Sequence, residues 1–521
     1  MHPAQPSGDP TAPERGPLRV ALVLPDVAAP EPGALRLIEA LLADPRCILA
    51  GFWALPAPAA AMPALTALIL AAEARLFPPP NRVEAPLWAA ARGAIPRLGA
   101  GEAPKGPGVD VIVDLSLNPL ALRLAGHARA GLWRLDAYGA EAGLTQALRR
   151  RGRTPAALWR HRPRGAATVL ARADFDVKFL ATRNRAFLRE KAVQLVLREL
   201  GRLHLTGDAG GPERPAPLAP PPRNRDLPPY LLRTAGTLIR RAGDGAARRA
   251  GFRPGMFRLR LAPGDLADFD PAAGRELTPP RGRYWADPFL WRHSDGQTYL
   301  FYEDYVYATR RGHIGVARIA GERAEPLGPA LSAPHHLSYP HVFGHGGDVF
   351  MLPETHQAGR VEIWRATDFP TGWTLYATAL DGTGAVDCGL AVWNGDWWLF
   401  ANLCHDSFGD YSGALHLYRT DGPGLGRIDP HPLNPVVVGS ATARGGGRIF
   451  VRNGRLYRMA QENTHGTYGY GLLLMEITAL TPDRYEERVL RRIAPDSAPG
   501  LIGCHHADAA DGLVAFDVRH R

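Results

Sequence analysis

The sequence predicts two unlike folds in one chain, an α/β domain built on a parallel sheet and then an all-β five-bladed propeller. Three observations carry that expectation. Apolar runs alternate with helix-spaced segments over residues 18–205. A proline-rich and then arginine-rich connection occupies 206–255. Over 256–521 one phrase recurs five times, each time closing in an alternating strand.

Residues 1–17 are polar and proline-rich, without a basic-then-apolar run, and read as a disordered N-terminus lacking a signal peptide. The α/β pattern starts at "LRVALVLP" (18–25), a buried strand, followed by helical spacing in "LRLIEALLAD" (35–44). "CILAGFWAL" (47–55) and "VDVIVDLSL" (109–117) are further strands, and "GLWRLDAYG" (131–139) is a fourth. The most apolar stretch, 48–77, is broken by Pro56, Pro58 and Pro63, so it reads as strand, turn and helix and not as a membrane span. Neither Gly-x-Gly-x-x-Gly nor a P-loop follows the first strand, which removes the phosphate cradle a nucleotide-binding reading needs.

The connection contains "GGPERPAPLAPPPRNRDLPP", a spacer, and "YLLRTAGTLIRRAGDGAARR" (230–249), a basic helix suited to packing on a neighbouring domain or to touching a membrane surface. Charge is uneven. Residues 141–260 hold 26 Lys and Arg against 9 Asp and Glu, a net of +17, while the whole chain is +10. Either an anionic partner or arginine on solvated helix faces accounts for this, and no aromatic interleaving suggests nucleic acid. Four scattered cysteines, with no Cys-x-x-Cys, argue against a disulfide framework or zinc cluster and for a reducing, cytoplasmic setting. No cofactor and no metal is expected.

The five phrases end in "TYLFYE", "DVFMLPE", "DWWLFAN", "RLYRMAQE" and "LVAFDV". Their aligned positions Tyr299, Val349, Trp397, Leu456 and Leu513 are 50, 48, 59 and 57 residues apart, the length of a four-stranded blade. "MFRLRLA" (256–262) is the strand expected to close the ring on the last blade. Residues opening each phrase should meet near the axis: Asp287, Tyr339 with His341, Asp387, Arg444, and His505 with His506. The ends of the following strands add Glu303, Glu354, Asn402, Gln461 with Glu462, and Asp517. Unpaired charges in a dry core cost several kcal/mol each, so this set points to a polar pocket. Carboxylates beside aromatics suit a sugar. Asp287 is the expected base, Glu354 or Asp387 the expected acid, with Trp285, Tyr339 and Trp393 stacking on sugar faces. Glu303, His341, Arg444, Glu462, His505 and His506 are the expected binding groups.

On "DVIVDLS" and "GLWRLDAYG", residues 18–200 resemble the N-terminal domain of formyltransferases. The resemblance places that family's Asn, His and Asp positions near Trp133 or Arg134 and Asp136, and no His-x-Ser-Leu-Leu-Pro follows, which implies a relative without the chemistry. On "ADPFLW", "HLSYPHVF", "FMLPET", "ATDFPTGW", "RGGGRIF" and "YRMAQE", residues 280–521 resemble the N-terminal domain of glucosamine inositolphosphorylceramide transferases, itself similar to arabinanase- and xylosidase-type propellers. From those glycosidases the resemblance implies a blade-one Asp base, carried onto Asp287. Their acid is a Glu, where this chain has Asp387. The expected function is glycosyl transfer or hydrolysis in glycan or glycolipid metabolism. The alternatives are a sugar N-formyltransferase-like enzyme and a non-catalytic glycan-binding scaffold. Expected partners are a sugar or glycan, with or without phosphate, and a membrane or protein contact through 141–260.

Overall fold

The computed structural model describes residues 15–80, 83–99, 102, 108–210, 220–249, 257–321, 323–497 and 499–520. Most of the expected disordered N-terminus (1–14) and of the spacer (211–219) lie outside them.

The N-terminal sheet has seven strands. Arg97–Leu98, Cys47–Ala54, Leu18–Leu24, Val111–Asp114 and Leu132–Leu135 run parallel in that spatial order, and Thr154–His161 and Thr168–Phe175 extend it antiparallel. Leu22, Val111 and Val113 pack one face against helices Pro32–Ala43 and Ala181–Thr206, whereas Ala21, Val23 and Ile112 pack the other with Trp53 and Leu124. Burial on both faces explains why these strands read as unbroken apolar runs. The three positions on which the formyltransferase expectation rested are all engaged within the domain. Trp133 is fully buried, Arg134 pairs with buried Asp114 at 2.9 Å, and Asp136 accepts from the Ala157 amide at 2.8 Å and the Trp159 indole at 3.3 Å.

Residues 258–520 form five blades around one axis. Four are consecutive antiparallel sheets whose inner strands are Arg283–Arg292, Ser338–His345, Ala385–Trp393 and Gly445–Arg452. In the fifth, Leu501–Ala510 and Leu513–His520 are completed by Arg258–Pro263 and Arg275–Leu277, which precede the first blade in sequence. The ring is thus closed by main-chain hydrogen bonds between chain segments some 250 residues apart.

The two domains are joined firmly. Val438 and Phe408 of the propeller pack into the N-terminal core. Around them Lys191 pairs with Asp406 at 2.6 Å, Lys178 with Asp410 at 2.8 Å, and Arg153 with Glu462 at 2.6 Å. The Gly466 amide donates to Asp176 at 2.8 Å, and Arg46 donates to the Pro432 carbonyl at 2.8 Å. Helix Leu227–Arg249, the basic helix of the connection, docks through Tyr230, whose hydroxyl donates to Glu73 and accepts from the Ala181 amide.

Candidate active site

All five inner strands break their ladder at the same place. The shifts fall between Ala286 and Phe289, Ser338 and His341, Val386 and Gly389, Gly445 and Ile449, and Cys504 and His506. A bulge inserts a residue and re-aims its side chain, and here it directs Asp287, Asp387 and His505 toward the axis, where His505 pairs with Asp287 and Arg444, just before its own bulge, pairs with Asp387. Asp287, Tyr339 and Asp387 have φ of +50°, +47° and +48°. Such left-handed backbone costs on the order of 1–3 kcal/mol per residue and persists where surroundings over-determine it. The surroundings here are side chains from the second strand of a blade or from a neighbouring bulge. Asp517 accepts from the amides of Asp287, His505 and His506 at 3.0–3.2 Å. Asp287 accepts from the Tyr339 amide at 3.3 Å, and Asn402 from the Gly445 amide at 2.9 Å.

Four acids gather near the axis, Asp287, Glu303, Glu354 and Asp387, each only 5–7% exposed. Burial raises the pKa of all four, and their neighbours separate them. Against burial, the hydrogen bond from His505 at 3.1 Å and the charges of His505, His506 and Arg444 bring Asp287 down to about 2. Asp387 goes the other way. Burial, reinforced by the Glu354 and Asp287 charges, overrides Arg444 at 2.6 Å and leaves it at about 7. Its Oδ2 accepts from both Arg444 Nε and Gln461 Nε2. Glu354 is lowered despite burial, bound on one side by His356 at 2.7 Å and on the other by a hydrogen bond with Asp387. Glu303 is raised by burial and by the Asp287 and Glu354 charges. Asp287 and Glu354 are thus biased toward the charged form, and Asp387 and Glu303 toward the protonated one.

Between Asp287 and Asp517 sits His505, its Nδ1 2.6 Å from Asp517. Burial disfavours its charge, but the two carboxylates raise it to about 10. Asp287, His505 and Asp517 place three potential metal-ligand atoms within 4.8 Å of one another. His505 spans the two carboxylates through its two ring nitrogens, Nε2 toward Asp287 and Nδ1 toward Asp517.

Several expected binding residues lie elsewhere. Tyr339, Phe289 and His506 form a plug across the axis. The Tyr339 hydroxyl donates to the Gly447 carbonyl at 2.7 Å and accepts from its amide at 3.1 Å, and His506 packs edge-on to both rings with neither ring nitrogen hydrogen-bonded. His341 lines a separate cavity of about 210 Å³ with Arg448 and Trp397, and it accepts from the Leu390 amide at 3.3 Å. Trp285, expected to stack on sugar, packs on Tyr302 in a core between sheets. Trp393 borders the core containing Leu456 and Tyr485. Glu462 is turned to the domain boundary by Arg153 and Arg492. Alternation along a strand does not specify a bulge, so the two residues that follow one change face unannounced.

The plug yields a stability prediction. Gly447 has φ +146°, and a Cβ there would lie 2.0 Å from the Ala507 carbonyl oxygen. Gly447→Ala is expected to cost about 3 kcal/mol in urea unfolding. A loss below about 0.5 kcal/mol would mean the plug tolerates displacement.

Residues not foreseen complete the site. His356 and His336 contribute from connecting segments, Tyr468 carries the Arg444 guanidinium over its ring at 4.9 Å, and Phe257 stacks on His505 at 3.9 Å. Only for His356 was there a sequence signal, its place two residues after Glu354. Arg444 and Tyr468 also form the floor of a cleft whose opposite wall is Asp176–Leu180, Arg183 and Arg241 of the N-terminal region.

Residues 276–497 carry the domain described as glucosamine inositolphosphorylceramide transferase 1, N-terminal. The chain is 38% identical over 245 residues to glucosamine inositolphosphorylceramide transferase 1 of Oryza sativa subsp. japonica, covering 44% of this chain and 32% of that protein. It is 36% identical over 209 residues to the Arabidopsis thaliana protein of the same name, covering 39% and 27%. The match thus spans about a third of the length of these relatives. Among solved structures, a family 117 glycoside hydrolase from Zobellia galactanivorans aligns at 14% identity and TM-score 0.34 over 50% of this chain and 90% of its own. An α-L-arabinofuranosidase from Lactobacillus brevis aligns at 16% identity and TM-score 0.33 over 46% and 84%.

Proposed function

We propose that this chain is a carbohydrate-active enzyme that cleaves or transfers a glycosidic bond in the axial pocket. One observation carries the reading: a pocket built on strained bulges holds one carboxylate low, Asp287, and one carboxyl near neutrality, Asp387. Glycosidic chemistry needs such a pair, one group ionised and one protonated. Asp287 acts as base or nucleophile, kept ionised by His505. Asp387 acts as acid. Arg444 and Gln461 hold its Oδ2, which leaves Oδ1 to deliver a proton to the leaving oxygen. Glu354, hydrogen-bonded to Asp387, favours its protonated form before that proton is passed on. The 38% identity with plant glycosyltransferases over the propeller supports a sugar as the substrate.

The pH profile tests the assignment. Asp287 loses its charge only near pH 2 and Asp387 its proton near pH 7. Activity on a panel of aryl glycosides is expected to be level between about pH 3 and 6 and to fall about tenfold per unit above 7. Asp387→Asn should remove the alkaline limb and spare substrates with very acidic leaving groups, which leave unassisted. A wild-type profile that stays flat to pH 9 would overturn the role given to Asp387. Glycan binding without turnover across the panel would leave a scaffold.

A further inference from the structure

Arg444, whose Nε donates to Asp387 at 2.6 Å, also lines the cleft between the domains, about 610 Å³ in volume. That cleft shares Val177, Lys178, Phe179 and Arg241 with a second of about 430 Å³ running beneath helix Leu227–Arg249. Five arginines converge on this continuous space from three stretches of chain: Arg150, Arg183, Arg233, Arg240 and Arg241. Among the described residues, none of the five has a carboxylate within salt-bridge distance, whereas Lys178 beside them is matched by Asp410 and Asp176. Arg241 is held over the Phe179 ring at 4.3 Å, and Arg183 near the Phe408 ring at 5.9 Å.

Arginines enriched on solvated helix faces would diverge into water. These line a concavity and repel one another across it, which favours an anion that binds several at once. A guanidinium fork matches phosphate oxygens two at a time, and the aromatic rings keep the forks oriented. We propose that the cleft between the N-terminal domain and the propeller binds the phosphate or pyrophosphate group of a phosphorylated glycan whose sugar occupies the axial pocket. This rests on the sugar reading above and extends it.

Two sources share that chemistry. One is a soluble sugar phosphate. The other is a lipid headgroup, for which the surroundings are suited: Leu232 and Ile239 on the cleft helix are 77% and 73% exposed, and Leu68 on the adjoining helix Ala64–Leu76 is 66% exposed. Exposed apolar side chains beside basic ones on a helix suit an interfacial surface.

The test is calorimetric titration of the full chain with inorganic pyrophosphate. Binding should weaken with salt, and Arg183→Glu/Arg241→Glu should lower affinity at least roughly tenfold, the loss expected when charged hydrogen bonds are removed. The same charge change placed away from the cleft, Arg323→Glu/Arg452→Glu, should have little effect, and Asp287→Asn none. No binding by wild type, or equal losses in cleft and control variants, overturns the proposal. Intact pyrophosphate binding in a protein inert toward every glycoside would remove the sugar reading and leave the anion subsite standing. Co-sedimentation with phosphatidylcholine vesicles, with and without phosphatidylglycerol, separates the sources. Pyrophosphate-competed binding to the anionic vesicles that Leu232→Glu/Ile239→Glu abolishes assigns a lipid phosphate, and pyrophosphate binding without vesicle binding assigns a soluble one.

Discussion

Asp287→Asn is expected to lower glycosidic turnover ~1,000-fold, within the span seen when a positioned proton-transfer group is removed. The substitution separates charge from shape. Asn is among the few residues that accept the left-handed backbone found at φ +50°, so the bulge survives while the charge facing His505 disappears. Because burial is outweighed by His505 and Asp287 sits at about 2, below the ordinary 3.8, its ionisation stabilises the fold above about pH 4. That contribution fades as pH falls through about 2. Acid unfolding followed by tryptophan fluorescence should therefore be shallower between pH 4 and 2 in the Asn variant. Retention of a tenth or more of wild-type turnover would remove Asp287 from the chemistry.

The largest stability effect is expected at Lys191→Met. The Lys191 side chain is 4% exposed, pairs with Asp406, itself 0% exposed, and reaches Asp410 at 3.4 Å. Although burial disfavours its charge, the two carboxylates raise its pKa. Removing the cation leaves two buried carboxylates without it, at a cost of about 3–5 kcal/mol in urea unfolding. Lys191→Met/Asp406→Asn should recover much of that loss, since the remaining Asp410 keeps Lys178 at 2.8 Å. Scanning calorimetry should show the single variant unfolding in two steps as the propeller separates from the N-terminal domain. A loss under about 1 kcal/mol with one transition would mean that the apolar contacts of Val438 and Phe408 alone hold the domains together.

How far the site was legible follows from which residues were found and which were not. Asp287, Asp387 and His505 recur at equivalent points of a repeated phrase, with Arg444 just before its own and Glu354 at the end of a following strand, and the repeat brings them to the axis. Trp285, His341 and Glu462 lie within one to two residues of the same points yet face a core, the far side of the plug and the domain boundary. One inserted bulge residue reverses the side-chain alternation, and nothing in a pattern of period two records it.

The sequence by itself determined the class of both domains, the number of blades and the ring-closing strand, because each depends on periodicity written locally along the chain. Tertiary structure alone decided which carboxyl is charged, since the levels of Asp287 and Asp387 depend on His505 and Glu354 from other blades. It also turned the excess of arginine into a lined cleft. Arg150, Arg183 and Arg241 are far apart in sequence, and their joint field exists only where packing of Val438 and Phe408 against the N-terminal core sets two surfaces face to face.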